Sequence, residues 1–249
     1  MLGRVLLRST RTKRRWYRGS ERNDGDTTNP SYDRTSISCD CGDVNIEFSV
    51  QRPLYSLECC CVDCYQKLHA SKGKMPHDHG TGDPLKLSYF PNNLNVKAGS
   101  DKIEFNKLRS DANSTNMITT CCNTIMCVDH PSYNKKQVLT FPDYVTFRPA
   151  NACEESTPVA RVWIRDWPEE ALKALRTKKP LPEHYFDYET NTYSRDSKKA
   201  VEAIARGKGR VRSHDLEGGT TFQDILESKE NRIKILDLPE MAHSHRKNR

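Results

Sequence analysis

Residues 57–64 read LECCCVDC, which places four of the chain's ten cysteines within six positions. Side chains two apart on an extended chain point to the same face, and the one between them points away. Cys59 and Cys61 therefore converge, and Cys60 faces the opposite side as a small buried hydrophobe. Cys61 and Cys64 form a C-x-x-C pair, whose turn lets both sulfurs reach one ion. Immediately upstream, Tyr55 and Leu57 share the parity of Cys59 and Cys61, so an extended run is expected through Cys61.

Three thiolates do not complete a tetrahedron. Structural zinc is usually closed by four protein ligands, whereas catalytic zinc keeps a position for water or substrate. A second corner lies in "SCDCGD" (38–43), where Cys39 and Cys41 again stand two apart and Gly42 frees the chain to turn. Its remaining ligands are expected from Cys121, Cys122 and Cys127. Cys153 stands alone and reads as a buried hydrophobe. His77 and His79 in "PHDHG", and His130 in "VDHP", read as loop and turn residues. The two loop histidines are the nearest source of a fourth ligand should the triple site be structural. Disulfides are not expected, since no secretory signal is present. Adjacent Cα atoms also lie about 3.8 Å apart, short of the roughly 4.4–6.8 Å of a relaxed bridge.

The chain has 249 residues and carries a net charge of +7. Eight basic residues and one acid, Glu21, fall within residues 1–22; removing them from the 40 basic and 33 acidic residues leaves 32 of each. The excess is thus confined to the N-terminal segment, and the remainder is neutral. "MLGRVLLRSTRTKRRWYRGS" is rich in Arg, Ser and Thr and free of acids, the composition of a mitochondrial transit peptide. Read instead as a solvated basic tail, it suits a cytoplasmic or nuclear protein with a weak nucleic-acid contact. No stretch approaches the ~20 apolar residues of a membrane span, so the protein is expected to be intracellular, soluble and without a membrane partner.

"VNIEFSV" alternates with Val44, Ile46, Phe48 and Val50 on one face, which predicts a half-buried strand. "LKLSYF", "LNVKA", "KIEFNKL", "NMITTCCNTIM" and "QVLTF…YVTF" predict further strands, with "AGSD" (98–101) as a turn and "HASKGKMPHDHGTGDP" as a loop. At "RDWPEEALKALRTKKP" the period changes to that of a helix, with Asp166 and Glu169 spaced as a capping box. "KKAVEAIARGKG" and "TFQDILESKE" have weaker helical patterns. The expected organisation is a basic segment at 1–33, a mainly β cysteine domain with a few short helices at 34–182, and a polar, partly helical C-terminal extension at 183–249.

The order C-x-C-G, then C-x-C-x-x-C, then "LNVKAGSDKIEF", then a late cysteine pair resembles the glutathione-dependent formaldehyde-activating enzyme family. The matching positions are Cys39, Cys41 and Gly42; Cys59, Cys61 and Cys64; Leu94, Val96, Gly99, Asp101, Ile103 and Phe105; and Cys122. The domain is also similar to that of centromere protein V. Trp163 and "PLP" (180–182) fit the family's tail loosely. The resemblance implies a zinc-stabilised β-tent of the Mss4-like group.

It also implies one or two zinc ions per chain. Cys59, Cys61 and Cys64 would hold a reactive, three-coordinate zinc that meets a substrate thiol, and Cys39, Cys41 and Cys122 would hold a structural one. Here the sequence departs from the family: Thr119 stands where the late motif has its first cysteine, and Asn123 where it has glycine. The fourth structural ligand is left to Cys121 or Cys127 after a local bulge, to water, or to nothing, with Cys121 displaced and, on a strand, facing away from Cys122. The implied activity is that of a carbon–sulfur lyase acting on an adduct of glutathione or a related thiol, such as S-hydroxymethylglutathione, with no catalytic residue beyond the metal site. The alternative is a non-catalytic zinc module like centromere protein V, binding nucleic acid or protein through its basic N-terminal segment.

Overall fold

The computed structural model describes residues 34–72, 83–153, 156–178, 185–186, 202, 204–206, 208–209 and 211–239. The basic segment, His77 and His79, "PLP" (180–182) and residues 240–249 lie outside the described residues. The fold is mainly β, with two sheets and a few short helices.

The first sheet has four antiparallel strands in the order β10-β1-β2-β5: β1 Ser36–Ser38, β2 Asn45–Phe48, β5 Leu94–Ala98 and β10 Thr146–Arg148. The expected alternation around β2 is observed. Val44, Ile46 and Phe48 are fully buried, and Ile46 sits opposite Ile37 of β1 and Val96 of β5.

The second sheet runs β12-β11-β3-β4-β9-β8-β7-β6-β13. Its central strands are β3 Tyr55–Cys59, β4 Leu85–Pro91, β6 Ile103–Lys107, β7 Thr115–Thr119, β8 Ile125–Asp129 and β9 Gln137–Thr140. At one edge β11 (Arg161–Val162) and β12 (Tyr185–Phe186) join in parallel, and at the other β13 (Ile233–Ile235) runs parallel to β6. The polar C-terminal part therefore contributes two strands, one at each edge. It also contributes helix α3 (Phe222–Ser228), whose Phe222 and Ile225 enter the core; Phe222 meets Phe105 edge-on with ring centroids 5.2 Å apart.

Two of the expected elements are corrected. "NMITTCCNTIM" is not one strand but a hairpin, β7 and β8, with a turn at 120–124. The extended run through Cys61 also stops at Cys59, and helix α1 spans Val62–Lys72, reaching into the stretch read as a loop from His69. Val62, Tyr65 and Leu68 form a short buried apolar stripe on this helix, but polar residues are buried beside it. Cys64, Gln66 and Lys67 are buried on it, and Gln66 finds partners in Pro239 O and Arg109. The helix predicted in "RDWPEEALKALRTKKP" is present as α2 (Glu169–Lys178). Asp166, expected as its cap, ends a 3₁₀ turn at 164–166 and accepts the N–H of Val62 on α1 at 3.2 Å.

The buried side chains form two clusters. One gathers β3, β4 and α1 around Leu57, Tyr55, Tyr89, Leu68 and Trp167. The other packs the small sheet against β4 and β6–β8 through Ile37, Phe48, Phe90, Phe105 and Met117, with Phe48 and Phe90 stacked at 4.0 Å. At about 1.5–3 kcal/mol for each large apolar side chain removed from water, these clusters are the main stabilising term. Each ends at one set of cysteines: Cys59 and Cys64 belong to the first, Cys39 to the second.

Candidate metal centres

The four-sulfur group is built by two hairpin turns. Between β1 and β2, Gly42 adopts φ +83°, its N–H returns to Cys39 O at 2.9 Å, and Val44 N–H donates to Cys39 Sγ at 3.3 Å. This fold of the chain brings Cys39 and Cys41 sulfurs to 3.5 Å. Between β7 and β8, Asn123 takes a left-handed conformation, φ 54°, and donates its N–H to Thr119 O at 2.9 Å. Asparagine tolerates this region better than other side chains, so it can stand where glycine would. Each turn adjoins a register shift, in β2–β5 and in β7–β8, of the kind that re-aims side chains near sites.

Cys121 and Cys122 thus lie on a turn, not on a strand, and strand parity does not separate them. Cys121 Sγ is 3.9 Å from Cys39, 3.3 Å from Cys41 and 3.8 Å from Cys122. A tetrahedral ion with Zn–S bonds of about 2.3 Å needs sulfurs about 3.8 Å apart, so the donor set fits zinc. Of the two candidates for the fourth place, Cys121 is in the group. Cys127 is fully buried in the second core cluster, where burial pushes its thiol pKa up.

Thr119 does not take a ligand's place but stands behind one. Its Oγ1 accepts the N–H of Thr124 and lies 3.4 Å from Cys122 Sγ; Thr124 Oγ1 accepts the N–H of Asp40 and lies 3.2 Å from the same sulfur. With these acceptor roles filled, both hydroxyl protons are available to Cys122. Burial opposes its ionisation, but the two hydroxyls and the Cys41 N–H hold its pKa down to about 5. Cys41 moves the other way: the Asp43 N–H lowers its pKa, but the neighbouring sulfurs, led by Cys121, push it up to about 12.

Cys59, Cys61 and Cys64 form the three-sulfur group, with all three sulfurs within 4.8 Å of one another. Cys59 closes β3, Cys64 sits in the first turn of α1, and the short link carries Cys61. Cys61 N–H donates to Cys59 Sγ at 3.4 Å and Cys64 N–H to Cys61 Sγ at 3.3 Å. Such N–H···S bonds stabilise thiolates. Cys59 Sγ is 3.8 Å from Cys64 Sγ. The thiols of Cys59 and Cys61 bring the Cys64 pKa well down, helped by the charge of Lys67, while burial pushes Cys59 well up. Among the described residues no fourth Cys, His, Asp or Glu joins this group. Both groups can hold a metal ion.

Cys60 and Cys153 are buried apart from both groups, as expected. His130 caps a short 3₁₀ turn at 131–133, its Nδ1 accepting Ser132 N–H at 3.1 Å. Three residues near the sites escaped the sequence reading: Thr124, Lys67 and Arg161. Arg161, 1% exposed, pairs with Glu58 next to Cys59. Lys67 would have been found from its place three residues after Cys64 had the helix been recognised. No helix among the described residues is long and apolar enough to cross a membrane.

No family model and no curated protein matches the chain. A crystal structure of a Rhodobacter sphaeroides protein is similar over 44% of this chain and 85% of its own length, at 14% identity and a TM-score of 0.31.

Proposed function

We propose that this chain is a zinc protein of two unlike sites, a structural one at Cys39, Cys41, Cys121 and Cys122, and one at Cys59, Cys61 and Cys64 that stays open to a small thiol. The observation that supports this is the asymmetry of the donor sets, four sulfurs against three. That difference separates closed structural sites from those that keep a position for substrate. The resemblance of the cysteine order to the formaldehyde-activating enzymes, and to the β-tent fold they share with centromere protein V, points the same way.

On this reading the protein is a carbon–sulfur lyase acting on an adduct of glutathione or a related thiol. In S-hydroxymethylglutathione the C–S bond breaks and sulfur keeps the bonding pair. The hydroxyl proton passes to solvent as the C=O bond of formaldehyde forms; the reverse reaction joins the same parts. A zinc at the corner supplies a centre that holds a thiol as its thiolate at neutral pH. The chain's own contribution is to hold three sulfurs convergent, with backbone N–H groups of Cys61 and Cys64 fixing their orientation.

The test is formaldehyde release from S-hydroxymethylglutathione by the full chain and by Cys61→Ser, with zinc counted in each. Release faster than the uncatalysed rate, lost in a variant that keeps one zinc, supports the lyase. Release at the uncatalysed rate by the parent rejects it.

A second reading, a zinc module without catalysis, is favoured by the eight basic residues within 1–22. It expects DNA binding that weakens steeply with salt and disappears when that segment is removed.

A further inference from the structure

Lys67 lies one helical turn beyond Cys64 on α1, the spacing at which helix side chains are neighbours. It is 5% exposed, and lysine is almost never buried without a partner. Its Nζ donates to the neutral hydroxyl of Ser114 at 2.7 Å, and no carboxylate among the described residues pairs with it. The nearest acid on the same helix, Asp63, is taken by Arg109 at 3.0 Å. The neighbour of Lys67 one turn back on α1 is Cys64, whose sulfur converges with those of Cys59 and Cys61.

Three thiolates around a divalent ion sum to one negative charge. A fourth, anionic ligand raises this to two, whereas a neutral ligand leaves it unchanged. A fixed, poorly hydrated cation beside the group favours the first case.

We propose that Lys67 is the counter-charge of the three-cysteine corner and makes its fourth position selective for an anionic ligand, a thiolate, over a neutral one. The proposal rests on the open corner argued above. It makes Lys67 a positioning residue that acts through charge without itself touching the metal.

The test uses the full chain loaded with cobalt(II), whose visible spectrum reports a change of ligand at the metal. It is titrated separately with 2-mercaptoethanol, which binds as a thiolate, and with imidazole, which binds neutral. Lys67→Met is expected to raise the apparent Kd for the thiol about tenfold while leaving that for imidazole within about twofold, and Lys67→Arg to keep the parent ratio. A purely structural lysine would weaken both ligands alike, and that result overturns the proposal. A parent that responds to ligand, with an unchanged ratio in Lys67→Met, overturns the role of Lys67 and leaves the open corner standing. A parent that responds to neither ligand overturns the open corner itself. If Lys67→Met does not fold, Lys67→Gln, which removes the charge and keeps a donor for Ser114, is expected to shift the ratio in the same direction; no shift in that variant also overturns the proposal.

Discussion

The hydroxyl of Thr119 lies 3.4 Å from the sulfur of Cys122 while accepting the backbone N–H of Thr124 at 3.0 Å. The acceptor role fixes the rotamer and frees the proton for the sulfur, so a residue that is no metal donor still serves the metal site. Thr119→Val removes that proton at nearly the same volume. We expect the affinity of the four-sulfur group for zinc to fall about 10- to 100-fold, as for other residues that orient a ligand from behind. Competition with a chelator measures it. The three-sulfur group should be unaffected and Thr119→Ser should recover the parent value; an affinity unchanged by Thr119→Val would sink the role.

Cys121 and Cys127 are both near the late turn, but only Cys121 has other sulfurs within 4 Å. Cys121→Ser is expected to lose one equivalent of zinc per chain. Cys127→Ala should keep all of it and lose about 1 kcal/mol of stability, the usual effect of a small change in a core. Elemental analysis with urea unfolding separates the two. Metal lost from Cys127→Ala and kept in Cys121→Ser would reverse the assignment.

The strands and the two groups of cysteines were legible because each has a local signature: alternation in "VNIEFSV", and short spacings such as C-x-C and C-x-x-C. The fourth sulfur was not. Its position depends on Asn123 entering the left-handed region, which turns a run that reads as one strand into a hairpin and brings Cys121 round to Cys41. Helix α1 was hidden for another reason. Its buried face mixes Val62, Tyr65 and Leu68 with Gln66 and Lys67, whose polar ends are satisfied by residues far along the chain, Pro239, Arg109 and Ser114. The polar members of such a face blur its hydrophobic periodicity. Likewise α3 and β13 lie in polar sequence, and their place follows from a few residues, Phe222 and Ile225 above all, that meet a core formed elsewhere.

Asp129, at the end of β8, has its carboxyl pKa raised: burial drives it up against the His130 N–H, the Gln223 side chain and the charge of Lys135. Gln223 Nε2 donates to it at 2.9 Å, tying α3 to the sheet. A raised carboxyl favours the folded state while protonated. That contribution is full below the ordinary carboxylate value near 3.9 and is lost as pH rises through the higher folded value. Asp129→Asn keeps an acceptor for Gln223 and removes the ionisation. The urea midpoint of the variant should therefore gain on that of the parent as pH rises from 4 to 7. A difference that stays constant over this range would show that Asp129 is not the group responsible.

Gly99 and Gly42 allow backbone strain to be told from contact. Both have positive φ, +71° and +83°. A Cβ at Gly42 meets nothing within 4 Å, but one at Gly99 would lie 2.4 Å from Asp43 O and 2.8 Å from Val44 Cγ2. Asp43 and Val44 belong to the turn that presents Cys39 and Cys41, and Lys102, three residues after Gly99, pairs with Asp43 at 2.7 Å while its carbonyl accepts the N–H of Thr120 on the second turn. Gly42→Ala is therefore expected to cost only the conformational term, about 1 kcal/mol. Gly99→Ala adds displacement of the turn itself, for a total of about 2–3 kcal/mol, and should weaken zinc binding at the four-sulfur group while sparing the three-sulfur one. Thermal unfolding with and without chelator measures both effects. If the two variants lost stability equally and kept equal metal affinity, the packing of Gly99 on the turn would have no part in holding the site. A larger loss at Gly99, confined to the metal-loaded protein, would show that the turn between β5 and β6 is what keeps Cys39 and Cys41 in register with Cys121 and Cys122.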